Sequence, residues 1–105
     1  MKITQEIKKN AEKIIADFNK SVFDESYEYR YVPRYKGGFL YLDRNEGGTV
    51  SPIARLKYTG DFSKWGFAIY KYSRDKYDPG EWMFPGSEEL DGTILGALKA
   101  AEKAY

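Results

Sequence analysis

The sequence predicts an α+β protein: a four-stranded antiparallel β-meander with an N-terminal and a C-terminal helix packed on one of its faces. Three observations predict it. Apolar residues recur at three- and four-residue steps at both ends of the chain. They alternate with polar residues through the middle. Short links, two of them Gly-Gly, divide that middle into segments of strand length.

The first helix is expected over residues 3–19. Ile3, Ile7, Ala11, Ile14, Ile15 and Phe18 form one stripe, and Lys8, Lys9, Glu12 and Lys13 fill the opposite side. Asn19 and Ser21 are stop positions. In the first strand, Tyr27, Tyr29 and Tyr31 alternate with Glu28, Arg30 and Val32. Pro33 lacks a ladder donor, so that strand ends there or lies at an edge. Lys36-Gly37-Gly38 turns the chain into a second strand over 39–44, and Asn45-Glu46-Gly47-Gly48 turns it into a third over 49–58. After a loop at 59–64, a fourth strand covers 65–72. Residues 73–90 read as loop, punctuated by Asp78-Pro79-Gly80 and Pro85-Gly86, with Trp82, Met83 and Phe84 as a short strand or a flap over the core. The last helix starts near Asp91, a good N-cap, or earlier at Ser87; Leu90, Ile94, Leu98, Ala101 and Tyr105 are its apolar face. Short links between successive strands make the meander the simplest topology.

The 105 residues fit one domain, residues 1–105, large enough to bury a core without staples. Ten Tyr, six Phe and two Trp make the chain rich in rings that carry a polar end, which suits half-buried sheet surfaces. There is no cysteine and no histidine. Disulfides, thiolate nucleophiles, cysteine-ligated zinc and the commonest general base are therefore excluded. We expect no cofactor and no metal. The first twenty residues lack an apolar core of a signal peptide, and no window approaches the ~18 apolar residues of a membrane span. A cytoplasmic protein without a membrane partner is the expectation.

The net charge is +1, unevenly placed. Residues 26–77 hold ten Lys and Arg against five acids, whereas residues 78–105 hold two against six. A near-neutral total argues against a general polyanion binder but permits one basic face. Burying the apolar sets of the strands beneath the helices leaves Tyr41, Arg55, Lys57, Tyr70 and Tyr72 on the open face. Arg30 joins them if the first strand buries its tyrosines. Rings for base stacking and cations for phosphates are what a single-stranded nucleic-acid platform needs. The same residues also suit ordinary cross-strand Tyr–Arg and Tyr–Lys pairs, or a homodimer surface.

The acids Asp61, Asp75, Asp78, Glu81, Glu88, Glu89 and Asp91 lie in or beside loops. Nothing in their spacing brings an acid–base pair over a pocket, and they do not match a calcium loop, so no catalytic residue is assigned. Gly37-Gly38 and Gly47-Gly48 lead into strands, so they are hairpin turns and not phosphate loops. Trp65 and Trp82 are expected as core and flap anchors.

Arg55-Leu56-Lys57-Tyr58-Thr59-Gly60-Asp61, Trp65-Gly66-Phe67-Ala68-Ile69-Tyr70-Lys71-Tyr72-Ser73, Tyr77-Asp78-Pro79-Gly80-Glu81, Phe84-Pro85-Gly86 and Asp91-Gly92-Thr93 together resemble segments of a family of small bacterial proteins with no assigned activity. The resemblance covers about residues 30–105 and implies no activity and no functional residue. As a fold analogy alone, four antiparallel strands followed by a helix are similar to the repeat of the single-strand-binding PUR and Whirly proteins. From the sequence we expect a non-enzymatic binding or protein-interaction module. The alternatives are single-stranded nucleic-acid binding through the open face, and small-molecule binding or enzymatic activity at the acidic loops.

Overall fold

A computed structural model describes residues 1–23 and 28–105. Thr4 starts α1, Gln5–Val22, by accepting a hydrogen bond from the Ile7 N–H. The helix runs one turn beyond Asn19, because Ser21 bonds back to the carbonyls of Asp17 and Phe18 and does not break the ladder. Its buried stripe is Ala11, Ile15 and Phe18, with Ile7 and Ile14 half-buried beside it.

Five strands follow, not four: β1 (Tyr29–Lys36), β2 (Phe39–Glu46), β3 (Thr49–Lys57), β4 (Gly66–Lys71) and β5 (Lys76–Asp78). They form one antiparallel sheet in the order β1-β2-β3-β4-β5, so the meander holds and gains a strand. At three residues, β5 is too short to show an alternating pattern, which is why it hides among turn residues. The turn before it closes through Asp75 at φ +54°, a conformation Asp tolerates better than most residues. The expected strand start at Tyr27 lies outside the described residues. Pro33 sits inside β1, and β1 is an edge strand. Between β2 and β3 the two-residue turn Gly47-Gly48 has φ of +68° and +102°, the conformation of a tight hairpin that glycine adopts without a Cβ clash.

The β2–β3 register shifts between Leu42 and Asp43: Leu42 faces Ala54 and Asp43 faces Pro52, leaving Ile53 as an extra residue. Simple alternation puts Ile53 on the open face. The bulge sends it instead into the core, where it is 1% exposed. Pro52 is tolerated because β4 pairs with β3 only from Ala54 onward.

The final helix α2, Ile94–Ala104, is capped by Thr93 and not by Asp91; the Thr93 hydroxyl accepts from Gly96 N–H at 3.0 Å. Asp91 holds that cap in place, accepting from both the N–H and the hydroxyl of Thr93. These bonds keep the Asp91 carboxyl below its ordinary pKa. Ser87 opens only a single 3₁₀ turn, Ser87–Glu89. Trp65 lies just before β4; its N–H donates to Gly92 O and its indole to Phe62 O, each at 2.7 Å, which ties the loops to the sheet.

α1 packs against α2 and β1, and α2 also meets β3. One core lies between the helices and the sheet, centred on Leu40, Leu42, Leu56, Ile15, Ile94 and Leu98. Tyr31 joins it, almost wholly buried, with its hydroxyl donating to Glu102 at 2.8 Å. Arg44, 7% exposed, completes that corner with Glu46 at 2.7 Å and Glu102 at 3.4 Å. Among the described residues, no helix is long and apolar enough to cross a membrane.

Candidate binding face

Neither helix covers the other side of the sheet. The registers place Arg34 and Lys36 of β1, Phe39, Tyr41 and Asp43 of β2, Arg55 and Lys57 of β3, Gly66, Ala68 and Tyr70 of β4 and Tyr77 of β5 on that side. Its rings touch one another edge-on. Tyr41 and Tyr77 lie 5.4 Å apart between centroids, and Tyr70 and Tyr77 5.0 Å apart. Edge-to-face contact suits the ring quadrupoles and makes one continuous aromatic layer.

Two arginines lie over this layer. The Arg34 guanidinium sits 4.2 Å from the Tyr41 centroid, and the Arg55 guanidinium 4.6 Å from that of Phe39 and 5.3 Å from that of Tyr77. The two differ in what neutralises them. Arg34 donates to Asp43 at 2.9 Å. Arg55 and Lys57 have no carboxylate within ion-pair distance among the described residues. Their charge is free for an outside anion.

Beside them the face is hollow. Gly66 and Ala68 supply almost no side chain, so a groove of about 410 Å³ opens between Phe39, Arg55 and Lys57 on one side and Pro79 on the other. Its floor is apolar and one rim is cationic. That combination accepts a flat or apolar body joined to a negative group.

Of the residues nominated from sequence, Tyr41, Arg55, Lys57 and Tyr70 do come together here. Arg30 is exposed but stands opposite Asn45, six positions along β2 from the Phe39 that faces Lys57, roughly 20 Å away at strand rise. Tyr72 is half exposed and extends the layer to its rim: its ring meets Tyr70 edge-on at 5.0 Å and Tyr105 at 5.4 Å, and its hydroxyl donates to Pro52 O at 2.7 Å. Phe39, Arg34 and Tyr77 escape the sequence reading. Phe39 and Arg34 share the parity of Tyr41 and its cross-strand partner, so alternation could have found them. Tyr77 depends on the hidden fifth strand.

The Tyr70 hydroxyl donates to the Asp75 carboxylate, and this bond pushes its pKa up to about 12. Burial, and then the Asp43 carboxylate, push Tyr77 up as well. Both rings are neutral over the physiological range and add no negative charge to the face.

The loop acids are engaged locally. Asp61 accepts from Ser63, Asp78 from the Gly80 N–H, and Glu81 from Lys71 and the Met83 N–H. Glu88 and Glu89 share Lys103. Among the described residues no three carboxylates are grouped to hold a metal ion. Trp82 is not a flap anchor: it is 70% exposed, and Phe84 is the residue of that loop that packs, stacked 5.8 Å from Phe67.

No family model, no curated protein and no solved structure matches the chain.

Proposed function

We propose that this chain works by binding and that its open sheet face takes single-stranded nucleic acid. The observation that carries the reading is the pair of guanidinium–ring stacks, Arg34 on Tyr41 and Arg55 on Phe39, beside a groove floored by Gly66 and Ala68. Unpaired bases stack on aromatic rings and on guanidinium planes alike. The rings and guanidinium groups offer such planes beside the groove, and Arg55 and Lys57 on its rim supply the cations that phosphates require.

Fluorescence anisotropy with a labelled mixed-sequence oligonucleotide at low salt tests this. Binding at micromolar protein is expected, falling steeply as salt rises because the cations release condensed counterions. No binding at high micromolar protein, where even non-specific binders register, overturns it.

A further inference from the structure

A second hollow opens at the end of the sheet where β1 turns into β2. It holds about 470 Å³ between Lys2, Lys8, Tyr35, Lys36 and the turn at Gly37-Gly38. No acid lines it, and none of its three lysines has a carboxylate within ion-pair distance among the described residues. The fold gathers these cations from separate places: Lys2 precedes α1, Lys8 lies within it and Lys36 ends β1. Packing holds the first two. Ile3 is buried beside Lys2, and the Met1 carbonyl lies so close to Gly38 that a Cβ there would stand 2.5 Å from it. Lys8 Nζ sits 5.1 Å from the centre of the Tyr35 ring. Glu12, one turn further along α1, accepts from the Tyr35 hydroxyl at 3.2 Å and pairs with neither lysine. A hollow walled by charges of one sign concentrates anions.

The registers join this hollow to the groove on the open face. Lys36 stands opposite Phe39, Phe39 opposite Lys57, and Lys57 opposite Gly66. One cross-strand row thus runs from the groove floor through a lysine and a ring to a lysine of the second hollow. Three strand spacings make it about 14 Å long, which is about four nucleotides at the ~3.4 Å rise of a stacked strand. The neighbouring row, through Arg55 and Tyr41, ends on Arg34, which Asp43 neutralises. We propose that a single strand bound at the groove crosses the sheet along Lys57, Phe39 and Lys36 and seats its next phosphates in the second hollow, on Lys2, Lys8 and Lys36. This inference rests on the nucleic-acid reading and adds the path and the length: the ligand is a strand of more than about four nucleotides, not a mononucleotide.

Anisotropy titrations with labelled oligonucleotides of about three and about twelve nucleotides test it, since the shorter one reaches the groove but not the second hollow. With Lys2, Lys8 and Lys36 all changed to Gln, affinity for the longer strand should fall at least about tenfold at low salt. Its slope of log affinity against log salt should flatten by about two, at ~0.7 per phosphate contact. The shorter strand should bind this triple variant and wild type within about twofold. Lys13→Gln, Lys20→Gln and Lys99→Gln together remove the same charge from exposed helix positions elsewhere, and should flatten the slope by less than about half as much. Urea titration checks each protein, because Lys8→Gln loses the contact with Tyr35. Lys2→Gln with Lys36→Gln leaves that contact intact and should show the same effect in smaller measure. Inorganic tripolyphosphate carries phosphates without bases, and at constant ionic strength it should compete with the longer strand. If it binds wild type and not the triple variant, yet leaves the affinity of the longer strand unchanged, the hollow is a pocket for free anions and the path is overturned. Equal losses in the two sets of lysine variants overturn it too, as does a triple variant that weakens both strands alike. If wild type binds the longer strand no better than the shorter, the nucleic-acid reading stands and this path fails. If it binds neither, both fall.

Discussion

The side chain of Asn19 in α1 pairs with both backbone groups of Tyr31 in β1: its Nδ2 donates to the Tyr31 carbonyl and its Oδ1 accepts from the Tyr31 N–H, each at 2.9 Å. A carboxamide here does what a neighbouring strand would do. It closes the outer edge of β1 at the point where that edge passes under the helix. Two positions on, Pro33 has no N–H to offer. Helix and proline together keep this long edge from recruiting another strand.

Replacing Asn19 with Ala leaves both Tyr31 groups without their partner, and should cost about 1–3 kcal/mol, the penalty of an unsatisfied part-buried pair. Asn19→Asp should cost at least as much, because it sets a carboxylate against the Tyr31 carbonyl. Urea titration gives the stability, and hydrogen exchange at the Tyr31 amide should quicken in both variants. A change of less than about 0.5 kcal/mol would mean that water replaces the carboxamide without loss.

Leu56 is fully buried under the helices, whereas Ile14 is only partly covered. Leu56→Ala should therefore destabilise by about 2–5 kcal/mol, and Ile14→Ala by distinctly less, since the cavity term grows with how enclosed the site is. The urea midpoints should separate in that order at a constant slope. Equal midpoints would place the centre of the core nearer α1 than the sheet.

Tyr31 and Tyr35 both hold their protons more tightly in the folded chain than in the unfolded one. Burial is the main cause for each, reinforced by Glu102 beside Tyr31 and Glu12 beside Tyr35. The unfolded chain releases these protons near pH 10, while the folded chain keeps them. Their contribution to stability is thus complete below about pH 10 and falls as pH rises beyond it. Tyr31→Phe should flatten this alkaline loss. At neutral pH it should cost about 1–3 kcal/mol, because Glu102 loses the hydroxyl at 2.8 Å. Urea midpoints at about pH 8 and about pH 11 check both parts. An unchanged alkaline slope in Tyr31→Phe would assign the effect to Tyr35 and the other tyrosines.

The helices and the four longer strands were legible because each repeats its period several times, and because Gly37-Gly38 and Gly47-Gly48 mark the hairpins between them. Local competition was not legible. Asp91 has the stronger cap signature, yet the chain reaches helical geometry only after Thr93, with Asp91 spent on holding that threonine. The bulge at Ile53 leaves no mark in an apolar run where either face could take an isoleucine. On the open face, alternation identified Tyr41, Arg55 and Lys57 but not the groove between them and Pro79. That groove is made by what Gly66 and Ala68 lack, and by a loop that returns across β4. Trp82 shows the same limit. Its apolar character pointed inward, but Phe84 takes the packing position two residues later.

Tyr77 and Tyr72 separate the centre of the open face from its rim. Both rings touch Tyr70, but Tyr77 also touches Tyr41 and lies under Arg55, whereas Tyr72 turns to Tyr105 and spends its hydroxyl on Pro52. If nucleic acid lies on the groove side, Tyr77→Ala should weaken oligonucleotide binding by about 1–3 kcal/mol per stacked base at every salt concentration. Tyr77→Phe keeps the ring and should bind like wild type. Tyr72→Ala should leave affinity nearly unchanged. Arg55→Ala should act differently: the loss should be greatest at low salt, with the slope of log affinity against log salt reduced by about one phosphate contact. Each variant is first checked by urea titration, since Tyr77→Ala removes packing that holds β5. Anisotropy titrations at three or more salt concentrations then read both quantities. A Tyr72→Ala loss equal to that of Tyr77→Ala would move the strand to the rim beside α2. An Arg55→Ala protein with an unaltered salt slope would mean that this guanidinium serves the Phe39 ring and meets no phosphate.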